Sequence, residues 1–222
     1  MVDGYVRPEI DAPVFRDAAG EVIEYGRRWP GSPPEETYSV DTHPERFAPL
    51  HTVADGIIAH LRTAYDVVVE EGAEVAGDLN RPSSFDVVRA VRMRATDPRC
   101  APVTIVFDAY PGLSVHSGLL HDAHYPHCGC DACDEEWQAV ATDLEEHVFA
   151  VVRGGFSERI ARGGELPVEI AFSYPNGGSS GQSRLEDFLP GRLDAARVAL
   201  AALPADGWAP WPRRSHAPRA AR

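Results

Sequence analysis

The strongest structural signal in the sequence is a run of apolar residues at helical spacing in the first third of the chain. Between positions 50 and 68, apolar side chains recur every three or four residues, and the charged Asp55 and Arg62 fall on the opposite face. Pro49 suits the first turn of such a helix, and Gly72 marks the end of the pattern. Because a helix with one apolar face needs a second element to cover it, this chain must fold into layers.

Alternating patterns later in the chain predict the strands that supply the second layer. Residues 85–95 alternate over their second half. Residues 103–107 alternate before the turn at 110–112, which leads into another alternating run at 113–119. A fourth strand is predicted at 168–172. Three of these strands follow one another directly, which indicates an antiparallel sheet.

Two further helices complete the predicted architecture, at about 134–153 and after Pro190. The order of helix, three strands, helix, strand and helix predicts the α+β class, with an antiparallel sheet of about four strands and amphipathic helices packed on one face. We expect a single α+β domain over residues 41–207. An N-terminal arm with a small hairpin, 1–40, precedes it, and a flexible arginine-rich tail, 208–222, follows it.

The charge of the chain excludes several classes of partner. All 21 basic residues are arginine, against 34 acidic residues, and the formal net charge is −13. A field of this sign repels nucleic acid and anionic membranes. No apolar run is long enough to span a bilayer, and the acidic start of the chain does not resemble a secretory signal. We therefore expect a cytoplasmic protein whose partner is another protein or a small molecule.

One segment of the sequence concentrates potential metal ligands. Within thirteen residues it contains His121, His124, Cys128, Cys130 and Cys133. Zinc binds thiolate and imidazole in a tetrahedron, and Cys-x-Cys-x-x-Cys around a glycine turn can present three sulfurs to one point. In a reducing compartment these cysteines do not indicate a disulfide framework. We predict a structural zinc site formed by the three cysteines and one of the two histidines.

Other interpretations of the same segment remain open. The loop could hold reduced thiols without a metal, whereas a redox pair of Cys130 and Cys133 lacks the sequence context of thioredoxin-like proteins. A zinc nucleobase deaminase would need a glutamate two residues after a ligand histidine, and Gly118 and Ala123 occupy those positions. The cysteine spacing is similar to the zinc knuckle of tRNA-guanine transglycosylases, but nothing else in the chain matches those large barrels.

Candidate catalytic groups are few. His116 and Asp108 lie on the predicted hairpin, where His116 could act as a general base by pairing across to the strand of Asp108. The interpretation we favour is a zinc-stabilised accessory or interaction domain without catalysis of its own. The alternatives are a small metal-dependent hydrolase with an open zinc position facing these two residues, and a metal-free acidic binding module.

Four motifs stand out along the chain: His43-Pro-Glu-Arg-Phe47, the Tyr110-Pro-Gly turn, the Cys128-Gly-Cys-Asp-Ala-Cys-Asp-Glu135 box and the Val148–Phe156 run. With these motifs, residues 20–185 resemble an uncharacterised actinobacterial family, a domain of unknown function. Because that family has no assigned activity, the resemblance implies no reaction. It does imply that the cysteine box belongs to the family pattern.

Overall fold

Two antiparallel β-sheets form the framework of the protein, which a computed structural model describes over residues 4–161, 168–189, 191–204 and 207–215. The strands of the first sheet, in chain order and in spatial order, are β1 (Val67–Glu71), β2 (Val87–Ala95), β3 (Val103–Asp108), β4 (Leu113–Ser117) and β5 (His121–Tyr125). The strands of the second sheet are β6 (Phe156–Ile160), β7 (Val168–Tyr174) and β8 (Gly177–Ser183). The helices are α1 (Pro49–Ala64), α2 (Trp137–Val152) and α3 (Arg192–Ala201). The predicted α+β class is confirmed, although the described chain has eight strands in two sheets rather than about four in one.

One face of the five-stranded sheet, which we call the inner face, packs against α1 and α2. The strand register places Val91, Ile105 and Val115 side by side on this face, and all three are buried in the main apolar core. The two helices contribute their apolar stripes to the same core, through Leu50, Val53, Ile57, Leu61, Val140, Leu144 and Val148. Each large apolar side chain buried in this way contributes about 1.5–3 kcal/mol to folding.

The first helix ends earlier than its sequence pattern suggests. Helix α1 stops at Ala64, and the chain is extended from Tyr65 onwards. The three valines at 67–69 then pair with β2 as part of strand β1. A run of β-branched residues is stiff in a helix and packs well on a pleated surface. The predicted helix over 50–68 was therefore wrong at its C-terminal end.

Three strands carry little strand signal in the sequence. Strand β5 contains three polar residues, and β8 consists of glycine and polar residues that are mostly exposed. Strand β6 is only five residues long. Each of the three pairs along its length with a neighbouring strand, β4 or β7. The ladder hydrogen bonds of that neighbour impose the extended conformation that the local sequence does not predict.

The N-terminal arm docks on the helical layer. An isolated β-bridge joins Arg16 and Val22, at the position of the predicted hairpin. Nearer the start of the chain, the Tyr5 hydroxyl and the Arg7 guanidinium both donate to the Glu145 carboxylate of α2, at 3.1 and 2.7 Å. These contacts attach the arm to the outside of α2.

The start of the predicted tail is part of the packed body. Trp208 and Trp211 are buried in the core, and the Trp211 indole N–H donates to the Ala101 carbonyl at 2.9 Å. A buried tryptophan removes about 150–250 Å² of mostly apolar surface from water, which opposes the flexibility expected for residues 208–215. Residues 216–222 lie outside the described part of the chain.

Glu158 connects the second sheet to the first. Its carboxylate lies on β6 and is only 7% exposed. It accepts hydrogen bonds from the backbone N–H groups of Leu119 and Leu120, both at 2.9 Å, and from the Trp208 indole N–H at 3.0 Å. Burial raises the pKa of Glu158 to about 7, although these three hydrogen bonds oppose the rise.

The stability of the protein should depend on pH through Glu158. The unfolded carboxyl loses its proton near pH 4.5 and the folded one near pH 7, so this group's contribution to the free energy of unfolding decreases as the pH rises through that window. The difference in unfolding free energy between Glu158→Gln and the wild type should change by up to about 3 kcal/mol between pH 4.5 and 7.5. Denaturant titrations across this range measure that change.

The matched control is Glu146→Gln, because Glu146 is exposed on α2. Burial lowers the pKa of His121 to about 4 and that of His147 to about 3, so these two groups make stability fall as the pH drops below about 6.5. Their opposite effect is present in every variant and cancels in the difference. A difference for Glu158→Gln that is equal at pH 4.5 and 7.5 would contradict the prediction.

Candidate metal centre

The three cysteines of the box meet at one point in the loop between β5 and α2. Their sulfur atoms all lie within 4.8 Å of one another, and Cys128 and Cys130 are in contact at 3.2 Å without a disulfide. Gly129 permits this turn, because a Cβ at that position would overlap the Tyr110 hydroxyl. The predicted convergence of three sulfurs is therefore present in the structure.

The two predicted histidine ligands lie elsewhere. His121 packs its ring against His147 and Phe172 on the inner side of the sheet. His124 lies on the opposite side of the sheet, away from α1 and α2, which we call the outer face. Its Nδ1 is 3.0 Å from the Ser114 hydroxyl. Because side chains alternate along a strand, residues three apart on β5 face opposite sides. In the described part of the chain, the group of side chains placed to hold a metal consists of the three cysteines alone.

The contact among the thiols affects their ionisation. Burial opposes the ionisation of Cys130, but hydrogen bonds from Cys128 and Cys133 outweigh burial and lower its pKa to about 7. The neighbouring Cys128 sulfur, followed by burial, raises the pKa of Cys133 to about 12. One thiolate is thus stabilised by its neighbours, while further ionisation is opposed by like charge. A divalent cation at the centre would allow all three sulfurs to ionise together.

The aspartates of the box hold the loop to the N-terminal arm and to the segment between the arm and α1. Asp134 accepts hydrogen bonds from the Arg28 backbone N–H and from its guanidinium Nε, at 2.9 and 2.5 Å. Asp131 accepts from both the backbone and the hydroxyl of Thr42, and lies 3.8 Å from the buried Arg46 guanidinium. Each aspartate directly follows a cysteine, so the turn that gathers the sulfurs also points two carboxylates towards the arm.

Backbone groups of the loop also form hydrogen bonds with residues that precede α1. Arg46 donates to the Gly129 carbonyl at 2.7 Å, and the Asp131 N–H donates to the Val40 carbonyl at 2.7 Å. On the other side of the loop, the Glu135 carboxylate accepts the backbone N–H of His127 at 3.0 Å. These contacts pair the polar groups of the loop and fix the positions of the sulfurs.

Sequence reasoning missed these anchoring residues, because Arg28 and Arg46 lie about a hundred positions from their partners. The available signal was the repeated Cys-Asp pair at 130–131 and 133–134. Burial of an aspartate next to a cysteine requires a cation or several donors nearby. In a chain without lysine, that cation must be an arginine or a protonated histidine.

The two weak catalytic candidates do not pair with each other. The His116 Nδ1 lies 2.6 Å from the Asp122 carboxylate on β5. Asp108 instead accepts hydrogen bonds from the hydroxyls of Ser83 and Ser114, at 2.7 and 3.1 Å. Both candidates lie on the outer face of the sheet, as part of a wider polar network.

An open cleft adjoins the cysteine loop on that outer face. Its volume is about 570 Å³, which is within the range of small-molecule sites. His127 and Gly129 of the loop form part of its wall, and Asp108 and His124 of the sheet lie in its lining. The cysteine loop is therefore a boundary between the packed arm and an accessible space.

The fold and the site together define an α+β protein with a tri-cysteine loop that is anchored by arginines. Over residues 11–215 the chain matches a family described as "Family of unknown function (DUF6226)", and it belongs to that family. The expectation of a family without assigned activity is confirmed. No curated protein and no solved structure shows significant similarity to the chain. In the described ranges, no helix is long and apolar enough to cross a membrane.

Substitution of Arg28 should test the anchoring of the loop. Arg28→Met leaves the buried Asp134 carboxylate without its cation, and should lower the free energy of unfolding by about 3 kcal/mol. The control is Arg197→Met, whose ion pair with Asp194 is exposed and should contribute less than about 1 kcal/mol. Denaturant unfolding of both variants measures these changes.

A double variant separates the ion pair from general damage. Asp134→Asn combined with Arg28→Met should destabilise the protein by less than the sum of the two single substitutions, because the second change removes the unpaired charge. Additive losses would show that the two side chains are not coupled.

Proposed function

We propose that the three cysteines bind one zinc ion, and that the protein is a zinc-stabilised accessory or interaction domain without catalysis of its own. The observation that carries this proposal is the convergence of three thiols within 4.8 Å, in a loop whose neighbouring carboxylates are already engaged. The thiols are therefore the groups available to bind a metal, whereas the neighbouring carboxylates hold the loop in place.

Zinc suits this set of donors better than other common metals. Thiolate ligands select zinc or iron–sulfur clusters over magnesium and calcium. A tetrahedral zinc with Zn–S bonds of about 2.3 Å requires sulfur separations of about 3.8 Å. The Cys128 and Cys130 sulfurs are 3.2 Å apart and all three lie within 4.8 Å of one another, a range that brackets that value.

The fourth ligand is the point at which this proposal differs from the expectation based on sequence. His121 is packed among aromatic rings and His124 is engaged with Ser114, so neither lies beside the sulfurs. We expect a shell of three sulfurs and one oxygen or nitrogen, supplied by water or by a bound partner. Asp131 and Asp134, the carboxylates nearest in sequence, do not supply this ligand because they are paired with Thr42 and with Arg28.

One observation favours the alternative of a metal-dependent hydrolase. The walls of the cleft include His127 and Gly129 of the cysteine loop. A metal with an open fourth position on that side would bring a bound water to the edge of an accessible space. The same measurements that test zinc binding can separate this alternative from a structural site.

Metal content of the untagged protein tests the proposal. We expect about one zinc per chain by elemental analysis, and loss of that zinc in Cys130→Ser and Cys133→Ser. At a free zinc concentration about 1,000-fold above its dissociation constant, binding contributes about 4 kcal/mol. Its loss should lower Tm by roughly 8–16 °C.

The chain offers matched controls for each part of this experiment. Cys100→Ser changes the thiol that lies outside the cluster and should keep the zinc. His121→Asn and His124→Asn should also keep it, since neither ring reaches the sulfurs. Zinc loss in either histidine variant would overturn the proposed ligand set. A metal-free protein whose Tm does not change with chelator would instead support a metal-free binding module.

Cobalt substitution distinguishes the structural site from the hydrolase. Visible absorption of the cobalt protein reports the number of thiolate ligands and whether the site is four-coordinate. A tetrahedral spectrum with three thiolate ligands, from a protein that does not hydrolyse a test ester, would support the structural site. A spectrum that shifts when an anion enters the fourth position, together with hydrolysis of a test ester, would support the hydrolase.

A further inference from the structure

The cleft beside the cysteine loop lies on the face of the first sheet opposite to α1 and α2. The strand register places Asp108, Ser114, Asp122 and His124 on this outer face, and all four line the cleft. The end of β3, the start of β4 and strand β5 thus present polar side chains to the same space. The neighbouring part of this face is apolar, where Ala90 and Val106 are covered by Val75 and Leu79, whereas the part that lines the cleft is polar.

Asp108 is the most unusual group in the cleft. It is only 4% exposed, and no ion pair among the described residues includes it. Its two oxygens each accept one hydroxyl hydrogen bond, from Ser83 at 2.7 Å and from Ser114 at 3.1 Å. A carboxylate that is buried without a cation keeps unused acceptor capacity and an uncompensated charge.

Asp108, Ser114 and His124 form one hydrogen-bonded chain in the cleft. Because an ionised Asp108 can only accept, the Ser114 hydroxyl donates its single proton to it. The His124 Nδ1, 3.0 Å from the same oxygen, must then be the donor to Ser114. With Nδ1 turned to Ser114, the Nε2 is the ring nitrogen of His124 that remains for a ligand.

Two more residues of the cleft lining, Asn80 and Asp122, carry acceptor oxygens. Asn80 is 7% exposed, and its amide donates to the Leu120 carbonyl while its Oδ1 has no partner among the described residues. Asp122 accepts from His116 and from the Asn80 backbone N–H, and retains further lone pairs. The only arginine in the cleft lining, Arg81, is paired with Asp187.

An aromatic pair lies among these polar groups in the cleft lining. The rings of Phe85 and Tyr110 stack with centroids 4.8 Å apart, and Phe85 is 50% exposed. A half-exposed phenylalanine that is supported by a second ring offers a flat surface to a ligand. Such a surface attracts cations and flat apolar groups.

We propose that this cleft binds a small organic cation, in which an amidinium, guanidinium or ammonium group is attached to a flat apolar group. The cationic N–H donors would satisfy Asp108 and the Asn80 Oδ1, and the apolar part would lie on Phe85. The cleft supplies an excess of acceptors over donors together with an aromatic surface, and this ligand class is its chemical complement. The site requires no metal and is separate from the zinc proposal.

Calorimetric titration of the full chain with benzamidine tests the proposal. Benzamide, which has nearly the same shape and no charge, is the matched ligand control. We expect saturable 1:1 binding of benzamidine with a dissociation constant below about 1 mM, a modest value for about nine non-hydrogen atoms. Benzamide should bind at least about tenfold more weakly, because it cannot form charge-assisted hydrogen bonds.

Substitutions locate the binding site. Asp108→Asn and Phe85→Ala should each weaken benzamidine binding by about tenfold or more, by removing the charge and the aromatic surface. Glu146→Gln and Val198→Ala, which change exposed positions on α2 and α3, should leave it unchanged. Phe85 is half-exposed, so its variant keeps the test valid even if the buried Asp108 variant fails to fold.

Two results would overturn the proposal. Equal affinity for benzamidine and benzamide would show that charge is not recognised, and an unchanged affinity in Phe85→Ala would place the ligand elsewhere. Zinc content is measured on the same samples. A protein that contains zinc but does not bind benzamidine would contradict only the cleft proposal. A protein that binds benzamidine but contains no zinc would contradict only the zinc proposal.

Discussion

The arrangement of the candidate site depends on two arginines, Arg28 in the N-terminal arm and Arg46 in the short turn before α1. Arg28 and Arg46 carry their charges into a region where Asp131 and Asp134 are almost fully buried. A buried charge without its partner is strongly destabilising, so the arm and the cysteine loop can only be stable together. The positions of the three sulfurs are therefore set by contacts between segments about a hundred residues apart, and not by the loop alone.

This anchoring has a consequence for metal binding. A flexible loop must be ordered when it binds a metal, and the entropy of ordering lowers its affinity. Here hydrogen bonds from Arg28 and Arg46 and to Val40 hold the backbone of the loop, so protein contacts supply much of the order that a metal site needs. The same contacts hold three thiols close together, where like charge opposes full ionisation. Preorganisation and relief of this repulsion both favour a divalent cation.

The sequence predicted the local features of the protein well and its long-range features poorly. Cysteines at 128, 130 and 133 are so close in the chain that a single turn brings them together. His121 and His124 belong to a strand that the sequence did not indicate, and alternation along that strand separates them. The end of α1 was misplaced because the valines at 67–69 fit a helical and a strand pattern equally well. Whether such a segment becomes helix or strand depends on pairing with another strand, and the periodicity of a single segment does not reveal its pairing partner.

The two faces of the first sheet differ in their role: the inner face contributes to the stability of the fold, and the outer face lines the cleft. The inner face is apolar and buries α1 and α2, so substitutions there act mainly on stability. On the outer face, the part that lines the cleft holds Asp108 and His124 in hydrogen bonds with Ser114. The cysteine loop lies where β5 leaves the sheet, and through Gly129 it contributes to the wall of the cleft. A metal that fixes this loop would therefore also fix one side of the space in which a ligand can be recognised.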